Sequence, residues 1–145
     1  MPSFLTRAMA RALSLALLLA ALSLAGAAHA ATDNFNGGAV AHCVYDSGTQ
    51  SYACSALSGS NDLAIANGYT VQLNGSATIG PGQKLTMSGS AGLQVSGSLN
   101  LSTSNLALSG GSVAVAGSLA LNTGSTSFTA DISAATITVN GSGTL

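Results

Sequence analysis

Apolar residues alternate with Ser, Thr, Asn and Gly along the second half of the chain. The alternation is most regular in a ten-residue segment that occurs four times: TVQLNGSATI at 70–79, GLQVSGSLNL at 92–101, SVAVAGSLAL at 112–121 and TITVNGSGTL at 136–145. Apolar residues at every second position are typical of a strand with one buried face. Each segment therefore predicts two short strands, with its central glycine at a sharp corner between them.

The glycines of the four segments recur at intervals of 22, 20 and 24 residues, and they are Gly75, Gly97, Gly117 and Gly141. A third apolar group lies in each gap between segments: Leu85 and Met87, then Leu106 and Leu108, then Phe128, Ala130 and Ile132. Three short strands in each repeat at this period are typical of a solenoid with stacked rungs. We predict an all-β fold, a right-handed parallel β-helix of about four rungs over residues 70–145.

An antiparallel sandwich or meander is the alternative fold. Two of the corners contain Asn-Gly, the dipeptide that most favours a hairpin turn. The equivalent positions elsewhere are Ser96-Gly97 and Ala116-Gly117, and alanine fits poorly at the positive φ that a two-residue hairpin turn requires. A solenoid corner accommodates all four sequences more easily, so the pattern favours the β-helix.

Residues 31–69 lack the repeat and are predicted to form an N-terminal cap that covers the first rung and hides its strand edge. Asp62 to Ile65 are expected to lead into the first coil. The segment contains both cysteines of the chain, Cys43 and Cys54. An exported chain meets an oxidising compartment, so we predict a disulfide between them. His42 beside Cys43 does not complete a zinc site without a fourth ligand.

The first thirty residues have the organisation of a secretory signal peptide. Arg7 and Arg11 form a basic start, and an Ala- and Leu-rich run follows them over 12–28. The run ends at a small-x-small cleavage site formed by Ala28 and Ala30. A membrane anchor is the alternative interpretation, but the run is short for a span and is interrupted by polar residues and glycine. We predict cleavage after Ala30, a secreted or cell-surface location, and no membrane span in the mature chain.

Charge is scarce in residues 31–145. Lys84 is the only lysine or arginine there, and the acidic residues are four aspartates. A protein that binds nucleic acid uses Lys and Arg to replace the counterions of the phosphates. Electrostatic attraction to an anionic membrane surface has the same requirement. The composition therefore argues against both classes of partner.

The segment CVYDSGTQSYACSALSGSNDLAIANGYTVQLNGSATI at 43–79, followed by Gly- and Ser-rich strands of low charge, resembles the N-terminal region of secreted bacterial β-helix proteins. These include adhesin-like autotransporter passengers and surface proteins associated with type IV pilus systems. The resemblance implies a bacterial cell-surface protein with a role in adhesion.

Residues that could carry chemistry are scattered. The repeats contain one acid, Asp131, and one base, Lys84, in different gaps, whereas acid–base catalysis needs paired groups close together. His42, Asp46 and Ser47 are close in sequence only, and a triad is defined in space. Calcium-binding solenoids repeat an aspartate in each nonapeptide, which this chain does not do. We predict no catalytic, cofactor-binding or metal-binding residue.

The leading functional prediction is therefore a structural or adhesive surface element without catalytic activity. A carbohydrate-binding module is the alternative, and a β-helical carbohydrate-active enzyme is a third interpretation. Expected partners are a glycan or a surface protein. Threonine ranks of the kind that order ice are broken in the repeats, because the column of Thr78 continues as Asn100 and Ala120.

The last repeat suggests a further partner. In TITVNGSGTL, the apolar residues Ile137, Val139 and Leu145 are expected to face an unfinished core. No charged residue or proline follows to protect the edge of the strand. The sequence therefore predicts self-association of residues 31–145 through the C-terminal rung, end to end or as fibrils.

Overall fold

A computed structural model describes residues 31–103, 105–122 and 129–140. The predicted leader with Ala28 and Ala30, and the segment 141–145 with Gly141 and Leu145, lie outside the described residues. The described residues form ten strands: β1 (Thr32–Phe35), β2 (Cys43–Asp46), β3 (Ser51–Cys54), β4 (Asp62–Ile65), β5 (Thr70–Leu73), β6 (Ala77–Ile79), β7 (Lys84–Val95), β8 (Leu99–Leu101), β9 (Asn105–Leu121) and β10 (Asp131–Val139). None of these residues belongs to a helix that could cross a membrane.

The strands stack in parallel on three faces of a β-solenoid of about four turns, which confirms the predicted architecture. Face A contains β3, β5, the second half of β7, the middle of β9 and the first half of β10. Face B contains β6, β8, the end of β9 and the second half of β10. Face C contains β1, β4 and the first parts of β7 and β9. Among the described strands only β2 and β3 pair antiparallel, so the sandwich alternative is wrong.

The core lies inside the coils and is built from columns of aliphatic side chains. On face A, Val71, Leu93 and Val113 occupy the same position of successive rungs, and all three are buried. On face C, Leu63 pairs in register with Leu85, and both are buried. Successive side chains of a strand point to opposite sides, so the alternation in the sequence sends one set inward and leaves small polar residues outside.

Close approach of stacked backbones explains the glycine of the repeat. The N–H of Gly97 donates to the carbonyl of Gly75 at 2.9 Å, and the N–H of Gly117 donates to the carbonyl of Gly97 at 2.9 Å. A Cβ on Gly97 would lie 2.7 Å from the carbonyl carbon of Gly75, and a Cβ on Gly117 would lie 2.8 Å from the carbonyl oxygen of Gly97. Real side chains do not tolerate such distances, so these corners require glycine.

The serine that follows each glycine connects the same corners. The Oγ of Ser76 accepts the backbone N–H of Ser98 at 2.9 Å. The Oγ of Ser98 in turn accepts the backbone N–H of Ser118 at 3.2 Å. Each of these hydrogen bonds replaces a hydrogen bond to water, so each stabilises the stacked rungs modestly. The Gly-Ser dipeptide is therefore the element that stacks one coil on the next.

The fourth repeat stacks differently from the prediction. The sequence alignment placed Thr136 above Ser112, but the register pairs Ser112 with Asp131 and places Thr136 beside Ser118. The predicted equivalence of Ile137 with Val113 is therefore wrong, because Ile137 continues the column of Leu119 on face B. Ile132 and Ala134 take the positions above Val113 and Val115 instead. The register shifts between Ala134 and Thr136, so the last coil turns its corner with one residue fewer and without glycine.

Two strands of the segment predicted as a cap continue the ladders of the solenoid. β1 pairs in parallel with β4, and β3 pairs in parallel with β5. The antiparallel strand β2 then ends face A. Asp33 in β1 lies in register with the buried Leu63, and its carboxylate accepts a hydrogen bond of 2.9 Å from Asn61. A charge at an inward-facing position of an edge strand opposes pairing with another chain.

The two buried polar side chains of the described residues fasten the loop before β4 to the first coil. The Nε2 of Gln83 donates to the carbonyl oxygens of Ser58 at 3.1 Å and Asn61 at 2.7 Å. Thr103 lies one coil further along, and its hydroxyl donates to the backbone carbonyl of Gln83. Burial of these groups is tolerated because each is hydrogen-bonded.

The predicted disulfide is present and joins the two strands of the antiparallel hairpin. Cys43 in β2 and Cys54 in β3 are register partners with a Cα–Cα distance of 4.0 Å. The side chain of Cys54 is buried in the core. The bond therefore fixes the strand that ends face A to the ladder.

Replacing both cysteines by serine is expected to destabilise residues 31–145 by about 3 kcal/mol, because the short loop closed by the bond gains conformational freedom in the unfolded state. Urea unfolding of the double variant, with the reduced wild-type protein as a control, measures the difference. Alkylation without reduction followed by mass spectrometry should label no thiol. An unchanged unfolding midpoint, or two alkylated thiols in the oxidised protein, would contradict the prediction.

Candidate functional site: a groove along face A

The outer surface of face A carries one column of neutral side chains. The register of the parallel strands aligns Ala53, Gln72, Gln94, Ala114 and Ser133 across β3, β5, β7, β9 and β10. In the hairpin strand beyond β3, Val44 pairs with Ala53 and is 74% exposed. The column crosses the strands at right angles, so a molecule lying along it would contact every rung.

A groove of about 680 Å³ runs beside this column, near the ends of the face A strands. The residues of the column from Ala53 to Ser133 form one side of it, and the corner residues Asn74, Ser96 and Ala116 form the other. Adjacent strands lie about 4.8 Å apart, so the five strands from β3 to β10 span roughly 19 Å along the groove. This length and volume suit an extended ligand rather than a compact one.

The lining of the groove is neutral and partly apolar. The methyl groups of Ala53, Ala114 and Ala116 contribute apolar surface. Leu73, Val95 and Val115 also border the groove, but their side chains point into the core and are almost fully buried. The thirteen described lining residues are all uncharged, so the groove offers shape, neutral hydrogen-bonding groups and some apolar contact.

The corner side of the groove is held in place by hydrogen bonds within the protein. The Oγ of Ser96 donates to Oδ1 of Asn74 at 3.3 Å, and it accepts the backbone N–H of Gly75 at 2.8 Å. These bonds link two successive coils. Asn74 and Ser96 therefore shape the groove, with part of their hydrogen-bonding capacity already used.

Gln72 and Gln94 differ from the corner residues. They are direct register partners on adjacent rungs, and both are exposed. Neither side-chain amide makes a hydrogen bond with another described residue. Each amide thus presents a carbonyl acceptor and two N–H donors to whatever occupies the groove.

The asparagines of face B bond to one another. On face B, Asn122 donates to Asn100 at 2.8 Å and Asn140 donates to Asn122 at 2.6 Å. This asparagine ladder connects successive coils beside a smaller groove of about 280 Å³, whose lining includes Thr78 and Asn100. The ladder stabilises the stack, whereas Gln72 and Gln94 have no such partner.

The aromatic residues of the described chain cluster at the N-terminal end and not in the groove. The ring of Tyr52 lies 5.0 Å from that of Phe35 and 4.8 Å from that of Tyr45. The hydroxyl of Tyr52 accepts the N–H of Gly37 at 2.7 Å and is fully buried. Partial burial raises the pKa of Tyr45, and a hydrogen bond with the side chain of Tyr69 raises this pKa further. The cluster packs the first coil beneath the hairpin.

The structure keeps the residues weighed for catalysis in separate local contacts. The carboxylate of Asp46 accepts hydrogen bonds from the Thr49 hydroxyl at 2.8 Å and the Gly48 N–H at 2.9 Å, and these bonds lower its pKa. Lys84 and Asp131 begin β7 and β10, and both are exposed. Within residues 31–103, 105–122 and 129–140, no three His, Cys, Asp or Glu side chains are close enough to hold a metal ion.

Comparison with family models, with curated proteins and with solved structures finds no match to this chain. Of the resemblance noted in the sequence, the structure supports the β-solenoid architecture.

Sequence reasoning did not single out Gln72 and Gln94, although a signal was present. They occupy the same polar position of the first two repeats, in TVQL and GLQV. Most other outward positions of the repeats carry Ser, Thr, Asn, Gly or Ala. A long amide at the same place in consecutive rungs marks a surface that small polar residues alone would not make.

Proposed function

We propose that this chain is an exported surface element with a structural or adhesive role and no catalytic activity, and that it acts at a bacterial cell surface. The observation that carries the proposal is face A, where parallel rungs present an outer surface of neutral side chains along a groove. The alanine and serine side chains of this column lose little conformational entropy on contact. The predicted signal peptide and the resemblance to secreted β-helix adhesins support the location.

Disruption of the gene in the producing cells tests this function. Antibody against residues 31–145 is expected to label intact wild-type cells. Cells without the protein should attach less to solid surfaces or to other cells, and a plasmid copy should restore attachment. Retention of the protein in the cytoplasm, or unchanged attachment together with loss of growth on a polysaccharide, would overturn the proposal and favour an enzyme.

We also propose that isolated residues 31–145 associate with a second copy through β10. No described strand pairs with the outer edge of β10. Its inward-facing residues Ile132, Ala134 and Val139 are only half-buried, and Ile137 is 38% exposed. At the opposite end, Asp33 protects face C and the antiparallel hairpin protects face A, and the open edge of face B is only the three-residue strand β6. For β10, the C-terminal edge of a second copy is thus a better partner than its N-terminal end. This favours a two-fold dimer over the fibrils that the sequence also allowed.

A further inference from the structure

The geometry points to the groove of face A as a binding site for a neutral oligosaccharide chain. The side-chain amides of Gln72 and Gln94 would form hydrogen bonds with its hydroxyl groups. This inference rests on the proposed adhesive function and names its ligand class. The first observation is the contrast among amides. The exposed asparagines of the face B ladder are hydrogen-bonded to each other, whereas the two register-paired glutamines beside the groove have no protein partner among the described residues.

The chemistry of the lining selects the class of ligand. An amide donates through its N–H groups and accepts through its carbonyl, so it can bond both ways to neighbouring hydroxyls of a sugar. The methyl groups of Ala53, Ala114 and Ala116 supply apolar contact for the C–H surface of a pyranose ring. None of the described lining residues is charged, so they offer no partner for a sulfated or sialylated glycan, and its charge would be desolvated at a cost.

A peptide is the less suitable occupant of the same groove. Extended peptides are usually bound by adding a strand to a free sheet edge, where main-chain hydrogen bonds supply the affinity. In the groove the strands of face A run side by side, and their backbone groups are already paired with the rungs above and below. Only side chains are available to a ligand there, which suits a ligand that binds through its hydroxyl groups.

The length of the groove indicates a chain of several sugars. The two glutamines lie one rung apart, about 4.8 Å, and the neutral lining continues through Ala114 to Ser133. A linear oligosaccharide lying along the solenoid axis would meet a similar neutral surface at each rung. A single monosaccharide would contact only one or two rungs and should bind more weakly.

Titration of ¹⁵N-labelled residues 31–145 tests the inference. The probes are neutral hexasaccharides built from glucose, mannose, galactose or N-acetylglucosamine, together with a sulfated hexasaccharide and a neutral decapeptide. At least one neutral hexasaccharide should shift the side-chain amide signals of Gln72 and Gln94 and the backbone signals of Gln94 and Ala114. The monosaccharide should bind at least tenfold more weakly than its hexamer.

Matched variants separate the groove from the rest of the surface. Gln72→Ala and Gln94→Ala should each weaken binding of the hexasaccharide by about tenfold. Each substitution removes the hydrogen bonds of one amide to the ligand, and a change of this size in the dissociation constant corresponds to that loss. Thr78→Ala, on the outer surface of face B, should bind like the wild type. Backbone spectra that match the wild type away from the substitution show that each variant is folded.

The possible outcomes decide the proposal in either direction. Binding of a neutral hexasaccharide that both glutamine variants weaken supports it. No binding by any neutral saccharide, binding only of the sulfated probe or the peptide, or equal binding by all three variants overturns it. If cells carrying Gln72→Ala and Gln94→Ala still attach normally while gene disruption abolishes attachment, adhesion stands and the groove is not its site. If the groove binds saccharide but disruption leaves attachment unchanged, the adhesive role fails and the groove stands as a saccharide site.

Discussion

Gly111→Ala is expected to destabilise the solenoid by about 2–5 kcal/mol, the largest effect of any glycine substitution considered. Gly111 has a φ of +83°, and a Cβ there would lie 2.1 Å from the carbonyl oxygen of Ala91 in the coil below. A left-handed conformation costs a residue with a side chain about 1–2 kcal/mol. Forcing backbones apart in a packed structure adds about 1–3 kcal/mol. The substitution incurs both costs at the corner where face C meets face A.

Two glycines serve as controls for the separate contributions. Gly82 has a φ of +87° but open space around its position, so Gly82→Ala should cost only about 1–2 kcal/mol. At Gly59 a Cβ would meet nothing within 4 Å, so Gly59→Ala should be neutral or slightly stabilising. Urea unfolding of the three variants of residues 31–145 gives the ranking. Equal stabilities would show that the coils do not stack at the distances described.

Ile137→Lys is expected to abolish self-association of residues 31–145. Ile137 lies at an inward-facing position of β10, in register with the buried Leu119, yet is 38% exposed. Covering an aliphatic side chain of this kind stabilises a contact by about 1.5–3 kcal/mol, or tenfold and more in the dissociation constant. A lysine there would instead place a charge in the contact, much as Asp33 does at the other end.

Thr138→Lys is the matched control, because it adds the same charge to the neighbouring, outward-facing position of β10. Light scattering across a range of concentrations should show dimers for the wild type and for Thr138→Lys, and monomers for Ile137→Lys. A wild type that stays monomeric at high concentration would contradict the proposal. Equal dimerisation of the two lysine variants would show that the contact lies elsewhere.

The repeat in the sequence was sufficient to predict the three-faced parallel stack. The alternation fixes which side chains point inward, and the recurring Gly-Ser fixes the corner, because only glycine fits where the backbones of Gly75, Gly97 and Gly117 meet. The disulfide followed from the cysteine count and the predicted compartment. These features depend on local chemistry that a single chain displays directly.

The stacking of the last rung was mispredicted for a physical reason. Ile132-x-Ala134 and Ile137-x-Val139 are both apolar pairs, and periodicity alone cannot decide which earlier pair each one covers. The repeats were aligned on their glycines, so Gly141 was matched with Gly117. The corner between faces A and B in the last coil is instead turned by a register shift that needs no glycine. β1 escaped notice for a related reason, since Asp33 at an inward-facing position breaks the alternation that would reveal a strand.

The groove depends on a property that a sequence pattern does not encode. Alternation places Gln72 and Gln94 on the outside of face A, but the groove beside them is also lined by the corner residues Asn74, Ser96 and Ala116. Register then brings the two glutamines together on adjacent rungs. The residue types were visible in the sequence, whereas their shared surface required the stacked coils.

The neutral face and its groove exist only if the rungs of face A stack in register, and a distance between spin labels tests this claim most directly. Nitroxides on Ala53→Cys and Ser133→Cys, in oxidised protein with Cys43 and Cys54 paired, are separated by four strand spacings, or roughly 19 Å. Labels on Gln72→Cys and Ala114→Cys are separated by two spacings, or roughly 10 Å. Pulsed electron paramagnetic resonance for the first pair and dipolar broadening for the second should give narrow distributions close to these distances, widened only by the label linkers. Distances that do not grow with the number of rungs, as in an antiparallel sandwich, or distributions broad enough to indicate unstacked coils, would contradict the account.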